Sequence, residues 1–126
     1  MNIDYLLKID GYVVPNVTKC KAYRNDTDDA ATGRSASEGL IRYRVARIPK
    51  IEVEIGISYQ EEMQKTLKKL APASFTVEWF DPETGTYRNG TFYAGPHFPE
   101  FISKKPLVYA PMAFNLIAYE GDEGNV

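Results

Sequence analysis

A chain of 126 residues is long enough to bury one core without disulfides or metal, and short enough to form a single domain. Its formal charge of -2 speaks against nucleic-acid affinity driven by phosphate neutralisation, and its one cysteine, Cys20, excludes an intramolecular disulfide. No apolar run approaches the roughly 20 residues of a membrane span, while 44% hydrophobic residues and nine tyrosines suit a sheet protein with much interface.

Residues 5–9 read as a first strand, reached with no signal sequence before it, so synthesis in the cytosol is expected. The sequons at Asn16, Asn25 and Asn89 are then turn chemistry and not glycosylation sites. Asp10-Gly11 is a strong turn pair, and residues 17–24 form a second strand. From Asn25 to Gly39 no large apolar side chain occurs, which predicts a long polar loop. Residues 41–46 and 51–57 then alternate apolar with polar, as strands buried on one face do. Reading Ile48-Pro49-Lys50 as a three-residue hairpin loop sets Val45 against Val53, and Arg44 against Glu54 on the outer face.

Ser58 and Glu61 have capping-box spacing, and the helix they open, at about residues 59–70, carries Met63, Leu67 and Leu70 on one stripe. Residues 75–79 form another half-buried strand, Asp81-Pro82-Glu83-Thr84-Gly85 a hairpin loop, and residues 87–95 the returning strand, with a bulge or bend expected at Asn89-Gly90. Pro96, Pro99 and Pro106 predict an irregular segment. Residues 107–119 read as the last long strand, and residues 121–126 as a flexible acidic tail. The expected core comprises Ile41, Tyr43, Val45, Ile51, Val53, Ile55, Met63, Leu67, Phe75, Val77 and Trp79.

Residues able to do chemistry do not assemble in this sequence. His97, the one histidine, has no nucleophile or second ligand near it in sequence, so a structural or surface role is expected. Cys20 between Lys19 and Lys21 reads as a small packed hydrophobe. Asp26, Asp28 and Asp29 lack the glycine and terminal glutamate of a calcium loop. No catalytic residue, cofactor or metal is therefore expected, and the chain does not read as an enzyme. A sheet face bearing Arg42, Arg44 and Arg47 beside tyrosines offers an alternative of another class, a β-domain for single-stranded nucleic acid.

The order of these elements resembles a known family. Gly33-Arg34, Arg42 and Arg44, Lys50-Ile51-Glu52-Val53-Glu54, Glu61-Glu62-Met63 and Phe75-Thr76-Val77 are followed by three further motifs. These are the Asp81 to Gly85 turn, Thr91-Phe92-Tyr93-Ala94-Gly95 and Phe114-Asn115-Leu116-Ile117. Together, across nearly the whole chain, they resemble small tail proteins of phages and prophages of Gram-positive bacteria. The resemblance implies a mainly β, tail-tube-like sandwich with one flanking helix, forming a hexameric ring around a DNA channel. It implies a place in the virion tail, after assembly in the host cytoplasm. A distal tail or hub ring is the first expectation, and the tube (major tail) protein the second. Implied partners are further copies of the chain and the neighbouring tube, tape measure and hub proteins, with DNA as non-specific cargo and no membrane. The polar loop, with Asp26, Asp28, Asp29, Gly33 and Arg34, becomes the candidate inter-subunit arm, and Glu52, Glu54 and Glu78 candidate channel lining.

Overall fold

The computed structural model describes residues 2–28 and 44–119. The chain folds as β1 (Leu7–Ile9), β2 (Tyr12–Val13), β3 (Val17–Asp28), β4 (Arg44–Ile55), β5 (Ser58–Tyr59), α1 (Gln60–Leu70), β6 (Phe75–Asp81), β7 (Thr86–Ala94), β8 (Phe101–Lys104), β9 (Leu107–Tyr109) and β10 (Met112–Ala118). Seven strands form one antiparallel sheet in the order β2-β1-β6-β7-β10-β4-β3, and three form a second in the order β5-β9-β8. The protein is thus mainly β, with antiparallel sheets and, among the described residues, a single helix.

Alternation along the strands decides which face is buried. Leu7 and Ile9 pair with Trp79 and Val77, Phe75 with Phe92, Leu116 with Ala94 and Ile51, and Val53 with Cys20 and Phe114, so one face of the large sheet is continuously apolar. The helix adds Met63 and Leu70, and the small sheet adds Tyr109, to the same core cluster. The concavity that holds this core is itself measurable. Arg24 on β3 and Asp81 on β6 stand four strand-to-strand steps apart, roughly 19 Å in a flat sheet. Yet Arg24 Nη2 lies 2.6 Å from Asp81 Oδ2. The sheet therefore curls strongly around its apolar face.

Local chemistry accounts for the turns. Ile9 faces Tyr12, and the two residues between them, Asp10 and Gly11, have φ of 48° and 81°, as the tightest right-twisting hairpin connection requires. Asp10 also docks this turn on β6: its amide donates to the Thr76 carbonyl and its carboxylate accepts from the Thr76 amide. In the β6–β7 turn Gly85 takes φ 73° and its amide donates to the Asp81 carbonyl, while Asp81 Oδ1 accepts from the Glu83 amide.

Several expectations are corrected. Ile48-Pro49-Lys50 is not a loop: β4 runs unbroken through it, and β4 pairs with β3, so Glu54 stands opposite Lys19 and not Arg44. Pro49 is tolerated because pairing with β10 ends at Lys50, leaving Pro49 on a stretch paired, among the described residues, only to β3. The polar loop begins later than expected, since β3 continues through Asp28, and residues 29–43 lie outside the described residues. No bulge occurs at Asn89-Gly90, where the β6–β7 register is unbroken. Gly90 is there for space, because a Cβ would meet the Phe92 ring at 3.1 Å. The segment before β10 is not wholly irregular, because β8 and β9 form in it, and Pro111 divides the predicted last strand into β9 and β10 in different sheets.

The helix cap is shifted by one residue. Tyr59 is the N-cap, and its backbone amide donates to Glu62 Oε1, whereas the Ser58 hydroxyl donates to the Gly56 carbonyl and accepts from the Asn16 side-chain Nδ2. Of the expected core, Ile51, Val53, Ile55, Met63, Phe75, Val77 and Trp79 are buried and Leu67 is half-buried. Ile41, Tyr43 and the side chain of Val45 lie outside the description.

Candidate functional site

Among the described residues, three places stand out for their polar or exposed apolar groups. The first is the outer, convex face of the large sheet, which holds the candidate channel-lining carboxylates. Glu52 and Glu54 alternate with buried Ile51, Val53 and Ile55, and Glu78 with buried Val77 and Trp79, so all three point outward. Each has a lysine opposite it across the sheet: Lys21 for Glu52, Lys19 for Glu54 and Lys8 for Glu78. Lys19 Nζ lies 3.9 Å from Glu54 Oε1 on an exposed surface, a contact that contributes little to stability. The Tyr23 hydroxyl donates to Glu52, and this bond, ahead of desolvation, raises the phenol's pKa. The Tyr5 phenol is likewise held up, by desolvation first and then by its hydrogen bond to Glu78. This face is therefore of mixed charge, and not acidic.

The second place lies inside, at the end of the core. Arg24 and Asp81 side chains are 3% and 1% exposed and meet through two hydrogen bonds of 3.1 and 2.6 Å. Arg88 Nη1 stands 3.7 Å from the same carboxylate, and Glu83 3.4 Å from Arg24. Burial alone would push the Asp81 carboxyl up. The Arg24 hydrogen bonds, the Glu83 amide and the Arg24 charge outweigh it and hold the group below its ordinary value. The alternation of β3 and β6 forces both groups inward, since Arg24 continues the Cys20, Ala22 series and Asp81 the Val77, Trp79 series. This cluster is a latch between the β3 edge of the curled sheet and β6, four strands away, and no local pattern in the sequence announces it.

The third place is the small sheet, whose edges carry exposed apolar groups. On β8, Phe101 and Ile102 are 63% and 54% exposed, with Phe98 at 79% just before the strand. Phe101, Ile102 and Leu107 line a shallow apolar groove bordered by Lys104. At the other edge Ile57 and Tyr59 are each 59% exposed.

The remaining expected residues divide as follows. His97 Nδ1 lies 3.0 Å from the Gly95 carbonyl oxygen, a contact within its own loop. Cys20 is half-buried against the core, and burial pushes its thiol pKa up. Asp26 and Asp28 belong to β3, so they do not sit on a loop, while Asp29, Gly33 and Arg34 lie outside the described residues. Among the described residues no group of three His, Cys, Asp or Glu side chains could hold a metal, and no helix is long and apolar enough to cross a membrane.

Residues 1–119 match a family of unknown function (DUF6711), which covers nearly the whole chain, and the protein belongs to that family. No curated protein matches it.

Proposed function

We propose that this member of the DUF6711 family is a structural subunit of a phage tail, forming a hexameric ring in the distal tail or hub around the DNA channel. The tube protein is the second placement on the same reading. The resemblance of the ordered motifs to small tail proteins supports it, together with a mainly β fold that carries one helix. The single observation that carries it is the ribbon made by β3 and β4. Beyond Lys50, β4 has no described neighbour except β3, and the two continue as a pair from Arg24 and Pro49 to Asp28 and Arg44. A two-stranded ribbon is marginally stable alone in water. A neighbouring subunit that covers it would offset the cost of ordering it, roughly 1–2 kcal/mol per residue of backbone. The ribbon leads into residues 29–43, so the candidate arm with Asp29, Gly33 and Arg34 starts from it.

The mixed charge of the outer face bears on the channel. If that face lined the lumen, DNA would meet Glu52, Glu54 and Glu78 interleaved with Lys8, Lys19 and Lys21. The lysines would offset the like-charge repulsion that makes an acidic lining keep DNA mobile, so the charge of this face does not favour it as the lining.

A second reading has one observation in its favour. Lys19, Lys21, Tyr23 and Lys50 share the outer face of β3 and β4, with Lys21 Nζ 5.6 Å from the Tyr23 ring centroid. Lysines interleaved with tyrosine suit single-stranded nucleic acid. Light scattering on the purified chain, with and without an oligonucleotide across a salt series, separates the two readings. A discrete oligomer indifferent to oligonucleotide supports the ring. A monomer whose oligonucleotide affinity falls steeply with salt supports the binding domain.

A further inference from the structure

We infer that the two edges of the three-stranded sheet are the complementary halves of one interface, so that the β5 edge of one copy seats on the β8 edge of the next. The inference deepens the ring reading by assigning surfaces to it, and rests on that reading for the closure of the contact into a ring.

Both edges expose apolar groups that a monomer has no use for. The β8 edge presents Phe101 and Ile102, with Phe98 upstream, and the β5 edge presents Ile57 and Tyr59. At these exposures each edge leaves roughly 200–400 Å² of apolar surface. That is a quarter to a half of the about 800 Å² each partner buries in a standard interface. The charges beside them are opposite. Lys104 and Lys105 are exposed at the β8–β9 turn, with Glu100 at the far end of the strand, whereas Glu61 and Glu62 open the helix directly after β5. The basic end of one apolar strip therefore has an acidic counterpart beside the other strip.

Geometry makes the contact head-to-tail. β5 and β8 lie on opposite sides of β9, so a copy that uses one edge leaves the other free for a third copy. Used once per pair of copies, such a contact is heterologous and closes into a ring or propagates as a filament. The mode is side-chain packing and not continuation of the sheet. β8 has only four residues, a register shift between Phe101 and Ser103, and Lys104 at its end, features that blunt an edge against strand pairing. The same shift places Ile102 as an extra residue with no partner on β9.

The test is a charge swap in the full chain, read by sedimentation velocity. Lys104→Glu with Lys105→Glu, and separately Glu61→Lys, should each raise the concentration of half-assembly by roughly tenfold or more, because like charges then meet. Glu61 is the choice because Glu62 caps the helix. Mixing the two variants should restore assembly, since each altered edge finds its reversed complement. Far-UV circular dichroism matching the parent chain shows that both variants fold. Should either fold poorly, Phe101→Ser in the parent chain gives the same reading through the apolar strip. Oligomers that persist unchanged in all these variants, or variants that stay dissociated when mixed, would overturn the assignment of surfaces and leave the ring reading standing. A parent chain that is monomeric at every concentration overturns both.

Discussion

Replacing Arg24 with methionine should destabilise the fold by about 3–5 kcal/mol, the cost of leaving a buried charge uncompensated. Met keeps the length and apolar stem of the side chain, so the change isolates the guanidinium. Asp81 would lose both hydrogen bonds, at 3.1 and 2.6 Å, in a site where its side chain is 1% exposed. Arg88, 3.7 Å away and partly exposed, would compensate only in part. For a chain of this size the loss corresponds to roughly 10–20 °C in Tm. The probe is built in. Trp79, the one tryptophan, is buried two residues before Asp81 and paired across the sheet with Arg88, so urea melts followed by its emission report on this end of the core.

The pH dependence has a defined sign. Asp81 is held below its ordinary value of 3.8 in the folded protein. Its contribution is therefore present above that value and is lost as pH falls through the lower folded pKa. In Arg24→Met the Arg24 hydrogen bonds and charge no longer oppose desolvation, so protonation of Asp81 relieves the variant. The stability gap between parent and variant should narrow as pH drops from 7 to below about 4. Adding Asp81→Asn should recover most of the loss at pH 7, since the amide oxygen still accepts from the Glu83 backbone. A variant within about 1 kcal/mol of the parent at pH 7 would refute the latch.

Three further outcomes are expected in the same melts. Met63→Ala, at a position with no exposure, should cost about 2–5 kcal/mol, and half-buried Leu67→Ala clearly less; equal losses would mean the helix is rotated. Thr66→Val should stabilise by about 1 kcal/mol, because the buried Thr66 hydroxyl has no hydrogen-bond partner among the described residues; a loss would reveal a partner for that hydroxyl. Gly90→Val should cost about 1–3 kcal/mol by forcing the Phe92 ring, 3.1 Å from a Cβ there, off its edge contact with Trp79. A neutral result would mean that the ring moves freely.

Features decided by neighbouring residues were legible in the sequence. Asp10-Gly11 makes its turn because both residues adopt positive φ. The helix follows its apolar stripe, and the strand from Phe75 its alternation. Where partners far along the chain decide, local reading fails. Pro49 resembles a turn residue until β10, more than sixty residues later, is seen to stop pairing at Lys50. Ser58 resembles a cap until Asn16 engages its hydroxyl. Gly90 resembles a bend until the Phe92 ring is placed against it. The Arg24–Asp81 latch spans 57 residues of sequence, and its only local trace is one charged residue at an inward position on each strand. Glu52, Glu54 and Glu78 were correctly read as outward-facing. Their lysine partners were not, because the misplaced hairpin hid the pairing of β3 with β4.

Negative-stain electron microscopy of the purified full chain would show directly whether it forms a ring. Closed rings of uniform diameter with six-fold averages are expected, disrupted by Lys104→Glu with Lys105→Glu. A field of single particles no larger than the 14.2 kDa chain, at concentrations where scattering detects no oligomer, would contradict that expectation.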